Sequence, residues 1–220
     1  KPTSFELFSV NKDKLSYALK QSSKNPRIIE LPTPRGVQKF AVKEASVLTD
    51  ALAKKYPAIK SYVGVGIDDP TSRARFSSSQ LGVHAMISSG NHPLYFVDPY
   101  TKDKKVAIGY FKNTSDKSRF ECLVVQEKSQ QKRDDFHEAA MTNDGKLRTY
   151  RMALIGTAEY GQFHLTNQGI GVNASQAVKK EAVLAAMNTS MTRINGVFER
   201  DLSVTMQLVP NNDDLIFFDT

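Results

Sequence analysis

The stretch ASQAVKKEAVLAAMNTSMTRINGVFERD, residues 174–201, constrains the fold more than any other part of the chain. Val183, Met187, Met191, Ile194 and Phe198 recur at spacings of 4, 4, 3 and 4, which winds them onto one face of an α-helix. The spacing predicts a helix that begins near 173–175 and ends near 200–201, with Asn173 and Gln176 as a capping box. A helix this long with one apolar stripe needs a layer to lie on. Its neighbours supply the elements. LRTYRMALIGT alternates, with Tyr150, Met152 and Leu154 on one side and Arg151, Ala153 and Ile155 on the other, the period of a strand. LSVTMQLV alternates in the same way, Pro210, Asn211 and Asn212 break it, and DLIFF reads as a further strand. AEYGQFH fits a helical turn and LTNQGIGVN a loop. Strand, long helix, strand, strand is the opening of an α/β layer.

Upstream the rhythm differs. KSYVGVGID, ARFSSSQ, LGVHAMISS, PLYFVDPY, KVAIGYFK and RFECLVVQ are short runs rich in Val, Ile, Phe and Tyr, separated by the turn signals DDP, SGNHP and YTKDKK. EASVLTDALAKKY places Val47, Leu48, Ala51, Leu52 and Tyr56 on one helical face, and KDKLSYALKQ fits a second short helix. Between the two regions, EKSQQKRDDFHEAAMTNDGK is polar and charged and reads as a linker or surface helix. The expected organisation is α+β: a β-rich domain over 1–127, a linker over 128–146, and a strand–helix–strand–strand segment over 147–220.

Charge and cysteine content exclude some classes. The net charge of +7 is uneven: residues 1–135 carry 23 Lys/Arg against 14 Asp/Glu, and residues 136–220 carry 7 against 9. The basic residues are scattered without the long runs or interleaved aromatics of a nucleic-acid surface, so no nucleic-acid partner is expected. A solvated lysine-rich face accounts for them, and charge complementarity between the two halves is a further reading. No apolar run approaches the roughly 20 residues of a membrane span. Cys122 is the one cysteine, so no internal disulfide forms, which suits a cytosolic protein and equally a disulfide-poor secreted one.

The usual chemical motifs are missing. There is no HExxH, GxSxG, P-loop or GxGxxG. His84, His92, His137 and His164 include no local metal pair. Asp68–Asp69 and Asp213–Asp214 are paired carboxylates beside turns, where capping is their expected work. Asn113, Asn173 and Asn188 begin glycosylation sequons, the last inside the expected helix. No catalytic residue is assigned. Lys132–Arg133, in a polar stretch, is a candidate processing site.

LRTYRMALIGTAEYGQFH, followed by AAMNTSMTRINGVFERDLSVTMQLVPNNDDLIFFD, resembles the start of the catalytic domain of bacterial reprolysin-like metzincins, which are secreted zinc metallopeptidases. The likeness covers roughly residues 147–219 and is collinear. SYVGVGIDDPTSRARFSSSQLGVHAMI, LYFVDPY and FECLV are similar to pieces of the family's proregion. The resemblance implies a secreted, cell-surface or periplasmic bacterial zymogen whose leader is already gone. It implies an inhibitory, folding-assisting proregion followed by the truncated start of a metzincin catalytic domain. The zinc helix HExxHxxGxxH would lie beyond Thr220, so this chain alone is expected to be inactive and to hold no tight zinc. Its partners would be the remainder of the catalytic domain and the peptide or protein substrates of the mature enzyme. Cys122 is the candidate cysteine switch, because a thiolate binds zinc at about 2.3 Å and would take the place of catalytic water; core packing in FECLVV is the competing reading, and Asp68 or Asp69 is a substitute ligand. The alternative to a zymogen is a freestanding β-rich binding or protease-inhibitor module without enzymatic activity.

Overall fold

Among the described residues, eight antiparallel strands form one sheet. The computed structural model describes residues 2, 4–22, 25–111 and 144–219. Cys122, Lys132 and Arg133 lie outside the described residues, as do His137 and the sequon at Asn113. β1 (Glu6–Ser9), β2 (Arg27–Thr33), β3 (Gly36–Glu44), β4 (Lys60–Gly66), β5 (Arg73–Ser79), β6 (Gly82–Ser89), β7 (His92–Pro99) and β8 (Val106–Phe111) join in the order β1-β8-β7-β6-β5-β4-β3-β2. From β2 to β8 each strand pairs with its successor in sequence, and β1 returns to the far edge beside β8. The class is mixed α+β.

The period of two sorts the side chains. Phe40, Val42, Tyr62, Ala74, Phe76, Ala85, Ile87, Tyr95 and Val97 share one face, where with Leu19 of α1 (Lys12–Gln21) they make an apolar core. The intervening residues Arg75, Ser77, His84, Met86, Asp98 and Tyr110 belong to the other face. α1 starts where Asn11 Oδ1 accepts the Lys14 backbone N–H at 3.0 Å, one of the donors that a helix start leaves without a partner.

The remaining elements are α2 (Asp50–Lys55), β9 (Arg148–Met152), α3 (Ala158–Asn167), α4 (Gln176–Leu202), β10 (Val204–Leu208) and a 3-10 turn at Asn212–Leu215. β9 and β10 are parallel, in register from Arg148↔Val204 to Met152↔Leu208. Parallel strands need a long crossover, and α3 and α4 provide it. Ser175 caps α4, its Oγ accepting from Val178 N, so the capping residue lies between the expected Asn173 and Gln176. Ser203, in the left-handed region at φ 53°, ends it.

The stripe expected on α4 is too narrow. Val183, Met187 and Met191 are buried, whereas Ile194 is 39% exposed and the polar Asn188, Thr192 and Asn195 are buried instead. The reason is that α4 is covered on more than one side, by β10 and α3 and also by strands β4, β5 and β6. Its apolar side builds a second core with Leu165, Met206 and Leu208, completed by Val47, Leu48, Leu52, Tyr56 and Ile59 from the upstream segment. Leu208 N donates to Val47 O at 2.7 Å and Thr49 N to Leu208 O at 3.3 Å, so Leu48 adds a rung beside β10. Residues 1–112 and 147–220 accordingly group into one compact unit. The sequence divisions at 127 and 146 separate segments that share this core.

DLIFF is not a strand. Asn212 and Asp213 are buried within the 3-10 turn, followed by a single bridge between Gly156 and Ile216. The side chains, not the apolar run, decide the local structure. Asn212 Oδ1 accepts from Leu154 N at 2.8 Å and its Nδ2 donates to Leu154 O at 3.1 Å, so one amide side chain replaces a ladder pair. Asn212→Ala is expected to leave both Leu154 groups without their partner and to cost about 1–3 kcal/mol, read as a lower urea midpoint with an unchanged slope. A midpoint equal to wild type would show that water serves Leu154 as well as the amide does.

Candidate functional site at the seam between the sheet and the long helix

The MNTSMTRINGVFERD segment lies along the sheet face that carries polar residues. Gly196 marks the close approach: a Cβ there would meet Met86 Cε at 2.4 Å and the Arg75 side chain at 3.2 Å. Around it the contacts are polar. Asn188 Nδ2 donates to Lys60 O at 3.2 Å. Ser77 Oγ and Thr189 Oγ1 are 2.9 Å apart. Arg75 bonds both carboxylate oxygens of Glu199, through Nε at 2.9 Å and through Nη2, and gives Nη1 to Ala45 O at 3.1 Å. This fork geometry suits a guanidinium and a carboxylate that are both largely withdrawn from water.

A second cluster centres on Asp98. Its Oδ1 takes the ring of His84 through Nδ1 at 2.6 Å and also the Arg193 guanidinium, while Oδ2 accepts the Tyr110 hydroxyl at 2.7 Å. Arg193 also stacks over the Phe96 ring at 5.1 Å. Burial by itself would raise the Asp98 pKa, but the His84 bond, the Arg193 charge and the Tyr110 bond together bring it down to about 2. Burial and the adjacent Asp98 push the Tyr110 phenol up. An ionised carboxylate only accepts, so His84 Nδ1 carries the hydrogen. That is the orientation in which a catalytic histidine offers Nε2 to a nucleophile. Here His84 Nε2 is buried and meets no hydroxyl among the described residues. The bonds of the cluster attach α4 to the sheet electrostatically.

The other acidic sites are also engaged. Asp213, 1% exposed, accepts from Lys55 and from the Tyr56 hydroxyl at 2.8 Å. Burial opposes its ionisation, but these two bonds and the nearby lysine charges hold its carboxyl below the usual range. The same contact with Asp213 raises Lys55. Asp69 accepts from Thr71 N and Oγ1, Asn91 Nδ2, Ser89 Oγ and Ser72 Oγ. These bonds, Thr71 first, keep it well below ordinary carboxylates, and its work is to fasten the β4–β5 turn to the β6–β7 turn. Asp68 accepts from Lys39 N at 2.7 Å, and Asp214 pairs with Lys180 at 3.0 Å.

Of the described histidines, His92 sits on Pro93 O at 2.7 Å and His164 packs edge-on against Tyr160 and Phe163, with burial lowering its pKa. Among the described residues no three His, Cys, Asp or Glu side chains converge on a metal position. The zinc implied by the resemblance thus has no ligand set among them. Asn188, the third sequon asparagine, is fully buried, whereas Asn173 is exposed. Among the described residues, no helix is long and apolar enough to cross a membrane.

Sequence reading found the helix but missed the residues that attach it. Arg75, Asp98, Arg193 and Glu199 are single charges far apart in sequence, and only the fold makes pairs of them. The one available signal was a run of polar residues inside a long helix whose stripe already sufficed to bury it. Comparison with protein families, curated proteins and solved structures found no match.

Proposed function

We propose that the chain is the proregion and the first strand–helix–strand unit of a secreted bacterial zinc metallopeptidase of the reprolysin-like metzincin type. The observation that carries this reading is the state of β9. Parallel sheets normally have both faces covered, yet four of the five β9 residues are exposed and the fifth is half-buried. No described strand lies on its side away from β10. Leu147 and Tyr150 are more than half exposed, and Ile155 just beyond the strand is 63% exposed. A sheet that continues beyond β9 would pair its edge and cover these residues. In this reading the remainder of a catalytic domain, with its three-histidine zinc helix, continues from that side.

The upstream segment has the properties that a folding-assisting proregion needs. It supplies Leu48, Leu52 and Ile59 to the core around α4 and joins β10 by backbone bonds. Inhibition in this reading falls to Cys122 as the zinc ligand, with Lys132–Arg133 as the site of processing. The freestanding inhibitor module has no comparable account of a β9 edge that no described strand pairs.

The test is a precursor extended beyond Thr220 through its HExxH sequence. It is expected to be latent, to bind zinc, and to hydrolyse casein after cleavage near Lys132–Arg133. Cys122→Ser in that precursor should show peptidase activity before any cleavage, because serine keeps similar volume but offers no thiolate. A reading frame without HExxH would overturn the proposal. Equal latency of the two precursors would assign inhibition to steric cover or a carboxylate.

A further inference from the structure

The sheet face opposite α4 holds a cavity of about 770 Å³ between α1 and the strands. This is within the roughly 300–1,000 Å³ range of small-molecule sites. Its body is apolar, built from Phe8 of β1, Leu15 and Ala18 of α1, Leu31 of β2, Val83 of β6 and Val97 of β7. Elements from both ends of the sheet reach it, so the sheet curls around it. The mouth differs in character. Ile28 and Val37 form an apolar lip, 65% and 61% exposed. The charged residues on the lining are Lys14, Lys104 and Glu30, a net positive set.

Among the described residues neither lysine is tightly neutralised. Lys14 Nζ is 3.8 Å from Glu30, with side chains 78% and 55% exposed, a pair of small worth. Lys104 gives its ammonium to Gln80 O, a neutral acceptor, and does so from a left-handed backbone at φ 59°, which is uncommon for a residue with a side chain. An apolar cavity with two lysines among its lining residues suits one kind of small molecule. We propose that this cavity binds a free, unbranched fatty acid, with its alkyl chain between α1 and the strands and its carboxylate at Lys14 and Lys104. Apolar walls gain dispersion contacts from the chain, and the carboxylate meets charge where water is still present, avoiding the cost of burying it. The proposal is independent of the peptidase reading, since it concerns only the face away from α4.

The experiment is calorimetric titration of the whole chain with dodecanoate below its micelle concentration, with native mass spectrometry for stoichiometry. Saturable binding of one molecule per chain is expected. Two variants block the site from different positions. Ala18→Phe fills the cavity from a helical position, and Val37→Glu places a negative charge on the exposed lip. Each is expected to weaken binding at least about tenfold while circular dichroism shows an unchanged fold; should Ala18→Phe unfold the chain, Val37→Glu decides alone. Lys104→Asn, in which asparagine tolerates the left-handed backbone, should weaken dodecanoate about fivefold and leave dodecanol unchanged. No saturable binding, or binding that ignores both Ala18→Phe and Val37→Glu, overturns the proposal. Dodecanol binding as tightly as dodecanoate overturns the anionic head.

Discussion

Residues 147–220 expressed without residues 1–112 are expected to lack a folded core. The expectation follows from who fills that core. α4 offers Val183, Leu184, Met187 and Met191, and β10 offers Met206 and Leu208, but Val47, Leu48, Leu52, Tyr56 and Ile59 close the cluster from upstream. Without them Leu208, fully buried in the whole chain, faces water, and β10 loses the backbone bonds to Val47 and Thr49. Asp213 also loses Lys55 and Tyr56 and becomes a carboxylate with neither of its bonding partners. A two-strand parallel sheet has little independent stability. The fragment should give a collapsed amide spectrum in two-dimensional NMR, and addition of residues 1–112 as a separate polypeptide should restore dispersion. In the intact chain, Leu52→Ala should cost about 2–5 kcal/mol through lost transfer energy and the space left behind. A well-dispersed spectrum from 147–220 alone would mean that the upstream segment is an appendage to a self-sufficient unit, and would remove the structural support for a folding-assisting proregion.

The sequence made α4 legible because its signal is local and repeated: apolar residues every three or four positions over many turns admit one reading. The strands from Lys60 to Phe111 were legible for the same reason at period two. β2 and β3 were not anticipated, although Ile29, Leu31, Phe40 and Val42 alternate inward. Glu30 and Lys39 interrupt them on the other face and Pro32 lies inside β2, which weakens the strand pattern although Asn25–Pro26 and Pro34–Gly36 are turn signals on either side of β2. The helical face that starts at Val47 in the sequence is longer than α2. Val47 and Leu48 are buried as expected, but as part of the rung beside β10, and the helix proper starts at Asp50. Periodicity reports which residues are buried, not which partner buries them. The same limit hid the seam. Asn195 exchanges two bonds with Met206, donating to its carbonyl at 2.8 Å and accepting its N–H at 2.9 Å, and Asn212 does the same for Leu154. Such side chains act as pieces of backbone, and no spacing rule in a single sequence marks them.

Acid should loosen the attachment of α4 through Asp98. Its folded pKa of about 2 lies below the usual value of about 3.9 for an unfolded aspartate. A depressed carboxylate favours the folded state above the unfolded pKa, and that favour disappears as pH falls through the folded one. Asp98 thus contributes about 2–3 kcal/mol at neutral pH, lost mostly between about pH 4 and pH 2. Asp98→Asn should remove this contribution and more, because it leaves Arg193 beside a neutral amide and presents an N–H to donors already pointing at the site. Removing one partner of a buried pair costs about 3–5 kcal/mol. The lower end applies here, since the Arg193 side chain is 27% exposed. Urea unfolding at pH 7, 4 and 2 checks this. The gap between wild type and Asp98→Asn should be widest at pH 7, nearly as wide at pH 4, and small at pH 2. Asp69 and Asp213, whose pKa values are also depressed, weaken both proteins equally over that range and cancel in the difference. A gap that stays constant down to pH 2 would show that Asp98 acts by shape and not by charge, and that the Arg193 contact to the sheet is not the electrostatic bond described above.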